Sequence, residues 1–542
     1  MQRLRPDPAD REHLVADVGP EPAGARDVLR PRDQPLMPRM QLGPLSRPLP
    51  VDLLAQHPLR EDAGALARKE RRRAAAPAEA HRVRDGCCQV RGRECGPDDS
   101  SGHVLHRSAE AGGGRSRIAH EGRPPGRRGC SLARMRRLRD LDGRLLAGAA
   151  VLVFFAVLLS FRGITGTTPW AHVGVEPGAK SFADLRSVTS SWDCERKGIE
   201  AFPRNPCDPF HRPANYPRVW TRLGVFGLGE SDTVPLGVAI GVVFFVAAFA
   251  VAGPLTLGEG AIYGVALLAP ATMLGVERGN VDLLMFALVV LGVLLVGRFA
   301  WAGAVPIALA AVLKLFPAFA LAPLVRLRRR WPAAVASVVV LGVYVGATLN
   351  DIRTLRHVIP RLVVNSYGAG VVVEAMRLAG VSWAQSAAEV RYVRLTVIAM
   401  GLVLALVLVL LRLRRSTPVG EDGLRLDAFW AGAGVYAGTY VFGNNFDYRL
   451  AFLLLCVPQL CTWVRRGGAP APWPAAALAT LLVTLWLSSA QPPLPFGLQT
   501  WYVKLSFPPE EVLNWLLFAW LAAALARGGL AAVRHDREEG RP

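Results

Sequence analysis

Aromatic residues are missing from the first 153 positions of this 542-residue chain, because all 43 Phe, Trp and Tyr residues fall at or after Phe154. Residues 1–134 also lack long apolar runs and carry 25 Lys and Arg against 18 Asp and Glu. Such a segment cannot bury enough apolar surface to offset its chain entropy, so we expect a disordered, basic, Pro- and Gly-rich arm. Because Met135 opens the basic run MRRLRDLDGRLL, we hypothesise that translation can begin there instead.

The charges of this arm are mixed in sign, which disfavours a basic arm that rests on anionic lipid or nucleic acid, and no nucleic-acid partner is expected. Its cysteines do not have paired zinc-finger spacing. Nucleotide-binding signatures are missing too, since the chain has no G-x-x-x-x-G-K-[ST] and no G-x-G-x-x-G after a strand. We therefore predict neither a cofactor nor a metal. The E-x-D pair Glu230 and Asp232 is expected to cap a helix.

Charged residues are scarce, at 20%, while 51% of the residues are hydrophobic and the mean hydropathy is +0.26. This composition favours an all-α polytopic membrane protein, because a helix of about 20 apolar residues crosses a bilayer and satisfies its own backbone. About ten full transmembrane helices are predicted. They are Gly143–Phe161, Thr233–Gly253, Ala261–Val276, Val281–Gly297, Pro332–Leu349, Leu395–Leu411, Leu426–Phe442, Leu450–Val464, Trp473–Ser489 and Val512–Ala526.

Sidedness follows from short loops rich in Lys and Arg, which stay in the cytoplasm. The basic clusters are residues 134–144, 326–330, 412–415, 465–466 and the tail after 527. The prediction is a transmembrane domain over 135–530 in the plasma membrane, followed by a cytoplasmic tail at 531–542. Its outer segments are 162–232, 277–280, 350–394, 443–449 and 490–511.

The apolar segment Trp301–Val325 starts beside Arg298 and ends at RLRRR. A single crossing by this segment would reverse the predicted sidedness of every segment that follows it. Lys314 and Pro317 interrupt it near its middle. Two pieces of about 12 residues can form a broken hairpin that returns to the side it entered from. Lys314 then lies at the apex, either as a ligand for an anion or as a lysine that snorkels or pairs with a buried carboxylate.

The long first outer loop, 162–232, contains the candidate catalytic carboxylates. Asp184 has the stronger case, because FADLRSV is typical of a short helix against the membrane surface, and Asp193 is the second choice. A solvated loop charge is the plain alternative for either residue. Cys194 and Cys207 lie 13 positions apart on this loop, where an outer, oxidising location makes a disulfide plausible. Two free thiols are the alternative.

Two short outer turns carry further polar groups, in MLGVERGNVDLLMF and YVFGNNFDYRLAF. Helix caps with internal salt bridges would explain each turn alone, but all of these groups converge on one predicted membrane boundary. The arginines of 350–394 make the same boundary basic, which suits an anionic lipid head group. The predicted substrate-binding residues are Lys314, Arg278, Asn280, Glu277, Arg218, Asn445, Asp447, Tyr448 and Arg449.

The segments ERGNVDLLMFALVVLG, ALAAVLKLFPAFALAPLVRLRRRW and NNFDYRLAFLLL together resemble the membrane glycosyltransferases of family 87, in the GT-C superfamily, over roughly residues 140–530. The resemblance implies a mannosyltransferase-like hexosyltransferase that uses a polyprenyl-phosphate sugar, with its catalytic base in the first extracytoplasmic loop. Asp184 matches that position. The cysteine-bearing stretch NPCDPFHRPANYPRVW makes this loop longer than in simple members, so the acceptor's identity does not transfer.

The predicted function is transfer of a hexose from a polyprenyl-phosphate sugar to an extracytoplasmic lipid or glycan acceptor of the cell envelope, with membrane lipids around the protein. A loop Asp takes the proton of the acceptor hydroxyl while cations stabilise the phosphate that leaves. A lipid-glycan flippase or small-solute transporter is the alternative, which the broken helix favours. A non-catalytic scaffold for envelope assembly is a third hypothesis.

Overall fold

The computed structural model describes residues 142–539 with gaps at 168, 360, 362, 364, 379–385, 413–422 and 488–495. The predicted disordered arm at 1–134 and the alternative start at Met135 lie outside the described residues. The same holds for residues 540–542 of the predicted tail. Helices make up most of the described chain, which confirms the all-α class.

The α-helices of the described chain are numbered here in sequence order. They are α1 (Gly143–Thr165), α2 (Ala183–Arg196), α3 (Val219–Arg222), α4 (Thr233–Ala252), α5 (Leu257–Leu267), α6 (Pro270–Arg278), α7 (Asp282–Val296), α8 (Ala300–Leu313), α9 (Ala322–Val325), α10 (Trp331–Ala347), α11 (Leu349–Val358), α12 (Val371–Leu378), α13 (Ala387–Arg412), α14 (Leu424–Phe442), α15 (Val457–Arg466), α16 (Pro474–Leu487) and α17 (Phe496–Glu539).

Short 3₁₀ helices and one strand pair complete the described chain. The 3₁₀ helices are Pro169–Val173, Leu223–Phe226, Glu230–Asp232, Phe316–Leu321, Arg328–Arg330 and Asp447–Leu455. Strands β1 (Ser366–Tyr367) and β2 (Asn445–Phe446) pair antiparallel, with Ser366 opposite Phe446. This pair ties the segment after α11 to the turn after α14.

Five helices of the described chain are long and apolar enough to cross a membrane, namely α1, α4, α10, α13 and α17 with parts of their flanking turns. The pair α5 and α6, bent by 54°, makes a sixth if it is one span. The chain is therefore an all-α protein that fits a membrane, but the prediction of about ten full spans is not met. The two numbers differ because a hydropathy profile identifies apolar stretches of sequence but does not show how long a helix each stretch forms.

Several predicted spans are shorter helices or broken segments. Helix α7 has 15 residues and α16 has 14, whereas a helix needs about 20 residues to cross the apolar core of a bilayer. The stretch predicted as a span at 450–464 is divided between a 3₁₀ helix and α15. Helix α17 also extends into regions predicted as an outer loop (490–511) and a tail (531–542).

The predicted break at Lys314 is present, and the chain doubles back there. Helix α8 ends at Leu313, and Lys314 has extended backbone angles. The Tyr344 hydroxyl donates to Val312 O, 2.9 Å away, whereas Trp331 Nε1 donates to Val325 O, also 2.9 Å away. These two anchor points lie 13 residues apart on α10, which is about 20 Å along a helix. The second arm therefore runs from the level of Lys314 to the opposite end of α10.

The first arm, α8, runs antiparallel to α7. A Cβ on Gly303, near the start of α8, would lie 2.7 Å from Gly292 O, so only glycine allows this close approach to the second half of α7. Lys314, at the end of α8, instead contacts Asp282, at the start of α7. Arg298 and Arg326 consequently lie at the same end of the helical bundle, as the hairpin prediction requires.

That end, which we call the basic end, holds two buried ion-pair groups. Asp427, in the first turn of α14, lies 3.0 Å from Arg326 and 2.8 Å from Arg330. Glu259 lies 3.1 Å from Arg465 and 3.8 Å from Arg425. Each carboxylate is therefore shared by two arginines. The other end of the bundle, where α7 begins and α14 ends, carries the candidate site.

Candidate functional site

The site is centred on Asp282, the first residue of α7. Its side chain is completely buried, and its Oδ1 lies 2.5 Å from Lys314 Nζ. Its Oδ2 lies 3.8 Å from Arg449 Nε. One buried carboxylate thus faces two cations, one from the hairpin apex and one from the 3₁₀ helix after β2. Of the two roles predicted for Lys314, the structure shows the pairing with a buried carboxylate.

Asn280 connects this ion pair to the predicted catalytic residue. Its Nδ2 donates to Asp184 Oδ2 at 2.8 Å, and its Oδ1 accepts from the backbone N–H of Asp282 at 2.9 Å. Asp184 is 5% exposed and lies in the first turn of α2, which confirms the short helix predicted around FADLRSV. Asp184 and the Lys314–Asp282 pair therefore belong to one cluster, held together by a single amide side chain.

Arg212 forms an ion pair with the other oxygen of Asp184 and was not singled out from the sequence. Its Nη1 lies 3.6 Å from Asp184 Oδ1, and its Nε lies 3.1 Å from Asp208 Oδ2. Nη2 donates to Ala183 O at 2.6 Å, at the start of the helix that carries Asp184. All three charged side chains are buried, so this arginine balances two carboxylates and orients α2 at once.

Two tyrosine rings enclose Lys314. Its Nζ lies 4.8 Å from the centroid of the Tyr216 ring and 5.2 Å from that of Tyr448. Such cation–π contacts are stronger where water is excluded, and both rings are buried here. Burial raises the pKa of Tyr216 well above its usual value, and the negative charge of Asp184 acts in the same direction. Tyr216 was not singled out from the sequence.

The turn 443–449 places Arg449 beside Asp282. Asn445 Oδ1 accepts from Arg449 Nη1 at 2.5 Å, while Asn445 Nδ2 donates to Gly443 O at 3.2 Å. The guanidinium of Arg449 also lies 4.8 Å from the Phe316 ring, just after the hairpin apex. Asp447, completely buried, donates its backbone N–H to Asn365 O at 3.1 Å. The predicted residues of this turn therefore lie in or next to the cluster.

Glu277 and Arg278 hold the loop 162–232 in place. Arg278 Nε lies 3.1 Å from Glu277 Oε2, and Arg278 Nη2 donates to Glu176 O at 3.2 Å. Glu277 Oε1 accepts from the backbone N–H of Gly178 at 3.0 Å. These contacts are structural, and they fix the stretch of chain that leads into α2.

Asp193 and Arg218 lie apart from the cluster in their own ion pairs. Asp193 pairs with Arg196 and accepts from the backbone N–H of Glu230 at 2.9 Å. Arg218 lies 2.6 Å from Glu200 and 3.3 Å from Asp351. Asp193 is thus engaged at the far end of α2, apart from the cluster that contains Asp184.

The disulfide between Cys194 and Cys207 is present in the structure. It joins the end of α2 to the stretch that carries Asp208 and Arg212. Asn205 strengthens this link, since its Nδ2 donates to Ser187 O at 2.8 Å. The disulfide and this hydrogen bond therefore fix the loop that carries Arg212 to α2, the helix that also carries Asp184.

Among the described residues, no group of three or more His, Cys, Asp or Glu side chains is arranged to hold a metal ion. Asp232 accepts from the backbone N–H of Gly229 at 2.8 Å and so caps the 3₁₀ helix Glu230–Asp232, but its side chain makes no capping hydrogen bond to α4, and Glu230 pairs with Arg186. The comparisons with protein-family models, curated proteins and solved structures found no match to this chain.

Proposed function

We propose that this chain is a membrane glycosyltransferase that moves a hexose from a polyprenyl-phosphate sugar to a lipid or glycan acceptor on the extracytoplasmic side. The observation that carries the proposal is the Asn280 bridge between Asp184 and the Lys314–Asp282 pair. It joins a carboxylate from the long outer loop to a cation at the hairpin apex. These are the two groups that proton removal and phosphate departure require.

In the proposed reaction, Asp184 accepts the proton of an acceptor hydroxyl as its oxygen attacks the anomeric carbon. The bond from that carbon to the polyprenyl-phosphate oxygen breaks, and the phosphate leaves with its electron pair. Asp184 Oδ2 is held by Asn280, and Oδ1 has no hydrogen-bond partner among the described residues. Oδ1 is therefore the oxygen assigned to the proton. Arg212, 3.6 Å away, orients it and balances its charge.

Lys314 and Arg449 are assigned to the phosphate. Together they place two positive charges beside the carboxylate of Asp282. A cation in a site that excludes water stabilises a developing negative charge far more than one in bulk solvent. Tyr216 and Tyr448 contribute to that exclusion by covering the ammonium group.

The resemblance to family 87 of the GT-C superfamily is part of the same proposal, together with the plasma-membrane location and the cytoplasmic placement of the basic end. The separation of charge along the bundle favours an enzyme over a transporter. The buried carboxylates Asp427 and Glu259 lie with their arginines at the basic end, and the Lys314–Asp282 pair lies at the other. Transport instead calls for ionisable groups near the midplane.

The test is transfer of radiolabel from polyprenyl-phosphate mannose into the lipid and glycan fractions of membranes that contain the chain. The proposal expects label in an acceptor only when the chain is present. Membranes with the Asp184→Asn variant serve as the matched control, because the substitution removes a charge and keeps the shape. Equal transfer with and without the chain, over a panel of polyprenyl-phosphate sugars, would reject the proposed activity.

A further inference from the structure

One tryptophan of the long loop between α1 and α4 holds the hairpin apex. Trp220 Nε1 donates to Leu313 O at 2.8 Å, and Leu313 is the last residue of α8, directly before Lys314. The last carbonyl groups of a helix have no partner within the helix and accept from donors elsewhere. The Tyr344 hydroxyl has the same role at Val312 O, 2.9 Å away. Side chains from two other parts of the chain therefore hold the backbone beside Lys314.

Trp220 is itself held by α2, the helix that carries Asp184. Trp192, in the second half of α2, donates from its Nε1 to Trp220 O at 2.6 Å. Both tryptophans are buried, at 5% exposed, so their indole N–H groups depend on these carbonyl partners. The two residues thus form a chain of hydrogen bonds that runs from α2 to the end of α8.

The same stretch of loop also contacts the side chain of Lys314. The Tyr216 ring lies edge-to-face against the Trp220 ring, with centroids 6.2 Å apart, and its centroid lies 4.8 Å from Lys314 Nζ. A lysine ammonium group sits on a flexible four-carbon stem, so its position depends on where the backbone and the charged end are each held. Trp220 holds the backbone, and Tyr216 contacts the charged end.

We propose that Trp220 is a positioning residue that sets the distance between the Asp184 carboxylate and the Lys314 ammonium group. These two groups are joined on one side through the Asn280 bridge and on the other through α2 and the two tryptophans. Two separate connections restrict a distance that one connection leaves free to change as the hairpin tilts. The consequence for sugar transfer rests on the proposed function, in which a displacement of about 1 Å costs about 100-fold in rate. The position of the ammonium group does not depend on that function.

The test variant is Trp220→Phe, which keeps an aromatic ring and removes the N–H donor. The matched control is Trp331→Phe. Trp331 Nε1 makes the same kind of hydrogen bond, 2.9 Å to Val325 O, at the basic end of the same hairpin. Each variant loses one indole N–H that is bonded to a hairpin carbonyl, so a general weakening of the hairpin appears in both. Circular dichroism and size-exclusion chromatography of the purified full-length chain confirm that both are folded.

The position of the ammonium group is measured by NMR of protein that carries lysine labelled with 13C at Cε. The chain has only five lysines, and the Lys314 signal is identified by its loss in Lys314→Arg. The rings of Tyr216 and Tyr448 displace this signal from that of an exposed lysine, Lys197, because ring currents act on nuclei held beside an aromatic ring. This readout needs no substrate. It therefore separates a failure of the positioning role from a failure of the proposed function, which is measured as mannose transfer.

The proposal expects Trp220→Phe to move the Lys314 signal toward that of the exposed lysine. It also expects kcat for transfer to fall by about tenfold or more, with KM within about twofold. Trp331→Phe leaves both unchanged. Trp192→Phe weakens the same chain one step earlier and gives a smaller displacement in the same direction, which tests the proposal if Trp220→Phe does not fold. An unmoved signal or an unchanged kcat in folded Trp220→Phe would overturn the proposal, as would an equal effect of Trp331→Phe. A moved signal in a chain that transfers no sugar would reject the proposed function and retain the positioning role.

Discussion

Lys314 Nζ lies 2.5 Å from Asp282 Oδ1, although Lys314 follows the end of α8 and Asp282, completely buried, begins α7. Neither charge is tolerated alone in such a place. Removing one partner of a buried pair costs about 3–5 kcal/mol, because the remaining charge has lost both water and its counter-ion. The pair therefore fixes the hairpin apex to the start of α7.

The first prediction concerns the stability of this pair. Lys314→Met should lower the free energy of unfolding by about 3–5 kcal/mol, measured by denaturant titration in detergent, because Arg449 is 3.8 Å from Asp282 and replaces the contact only in part. Lys197→Met, at an exposed lysine of the outer loop, should change it by no more than about 0.5 kcal/mol. The double variant Lys314→Met with Asp282→Asn should recover part of the loss. Equal stability of Lys314→Met and the wild type would contradict the buried pair.

A second prediction concerns Arg212, which orients Asp184. Arg212→Lys keeps the charge but cannot reach Asp184, Asp208 and Ala183 O together, so one charged hydrogen bond is lost at a cost of about 1.5–3 kcal/mol. Sugar transfer should fall by about 10- to 100-fold. Arg204→Lys, at an exposed arginine of the same loop, should leave the rate unchanged. An unchanged rate of sugar transfer in Arg212→Lys would mean that Arg212 does not orient Asp184 for the reaction.

A third prediction addresses the path of the chain. Single cysteines at Arg298 and Arg328 should react with a membrane-impermeant thiol reagent from the same side of sealed vesicles, because the hairpin returns both to the basic end. A cysteine at Lys197, on the outer loop, should react from the other side. The native free cysteines of the described chain, Cys456 and Cys461, are buried and should stay silent. Labelling of Arg298 and Arg328 positions from opposite sides would mean that the segment crosses the membrane.

The disulfide gives a fourth prediction. Digestion of the unreduced protein should yield Cys194 and Cys207 in one linked peptide pair, detected by mass spectrometry, and reduction should separate it. Closing a loop of this length stabilises a folded chain by about 3 kcal/mol. Cys194→Ser should therefore destabilise the outer loop and reduce transfer, since that loop carries Arg212. Free thiols at both positions in protein from an oxidising compartment would show that the bond does not form.

The sequence predicted several of the polar residues that the structure brings together, but it overestimated the number of membrane crossings. Lys314, Asn280, Asp184 and Arg449 could be identified because each is a polar group at the border of an apolar stretch, and such groups are costly unless they have a function or a partner. Asp282 was part of the same motif, but its central position depends on Lys314 and Arg449, which are 32 and 167 positions away. No local sequence pattern shows that these three residues lie close together in space.

Arg212 and Tyr216 illustrate the same limit in the outer loop. The spacing of Asp208 and Arg212 by four positions was a usable signal, but the loop has many charges and only its fold shows which arginine faces Asp184. The number of spans was overestimated for a different physical reason. Helices such as α7 are apolar because they are buried among other helices, and hydropathy alone does not separate burial in protein from burial in lipid.

The most direct test of the account compares Asp184→Asn with Asp193→Asn in the transfer of mannose from polyprenyl-phosphate mannose by purified, folded protein. Asp184 belongs to the cluster with Lys314, whereas Asp193 is held by Arg196 at the far end of α2. The account predicts that Asp184→Asn loses transfer by at least about 100-fold and still binds the donor, while Asp193→Asn retains it. Full transfer by Asp184→Asn, or loss only in Asp193→Asn, would contradict it.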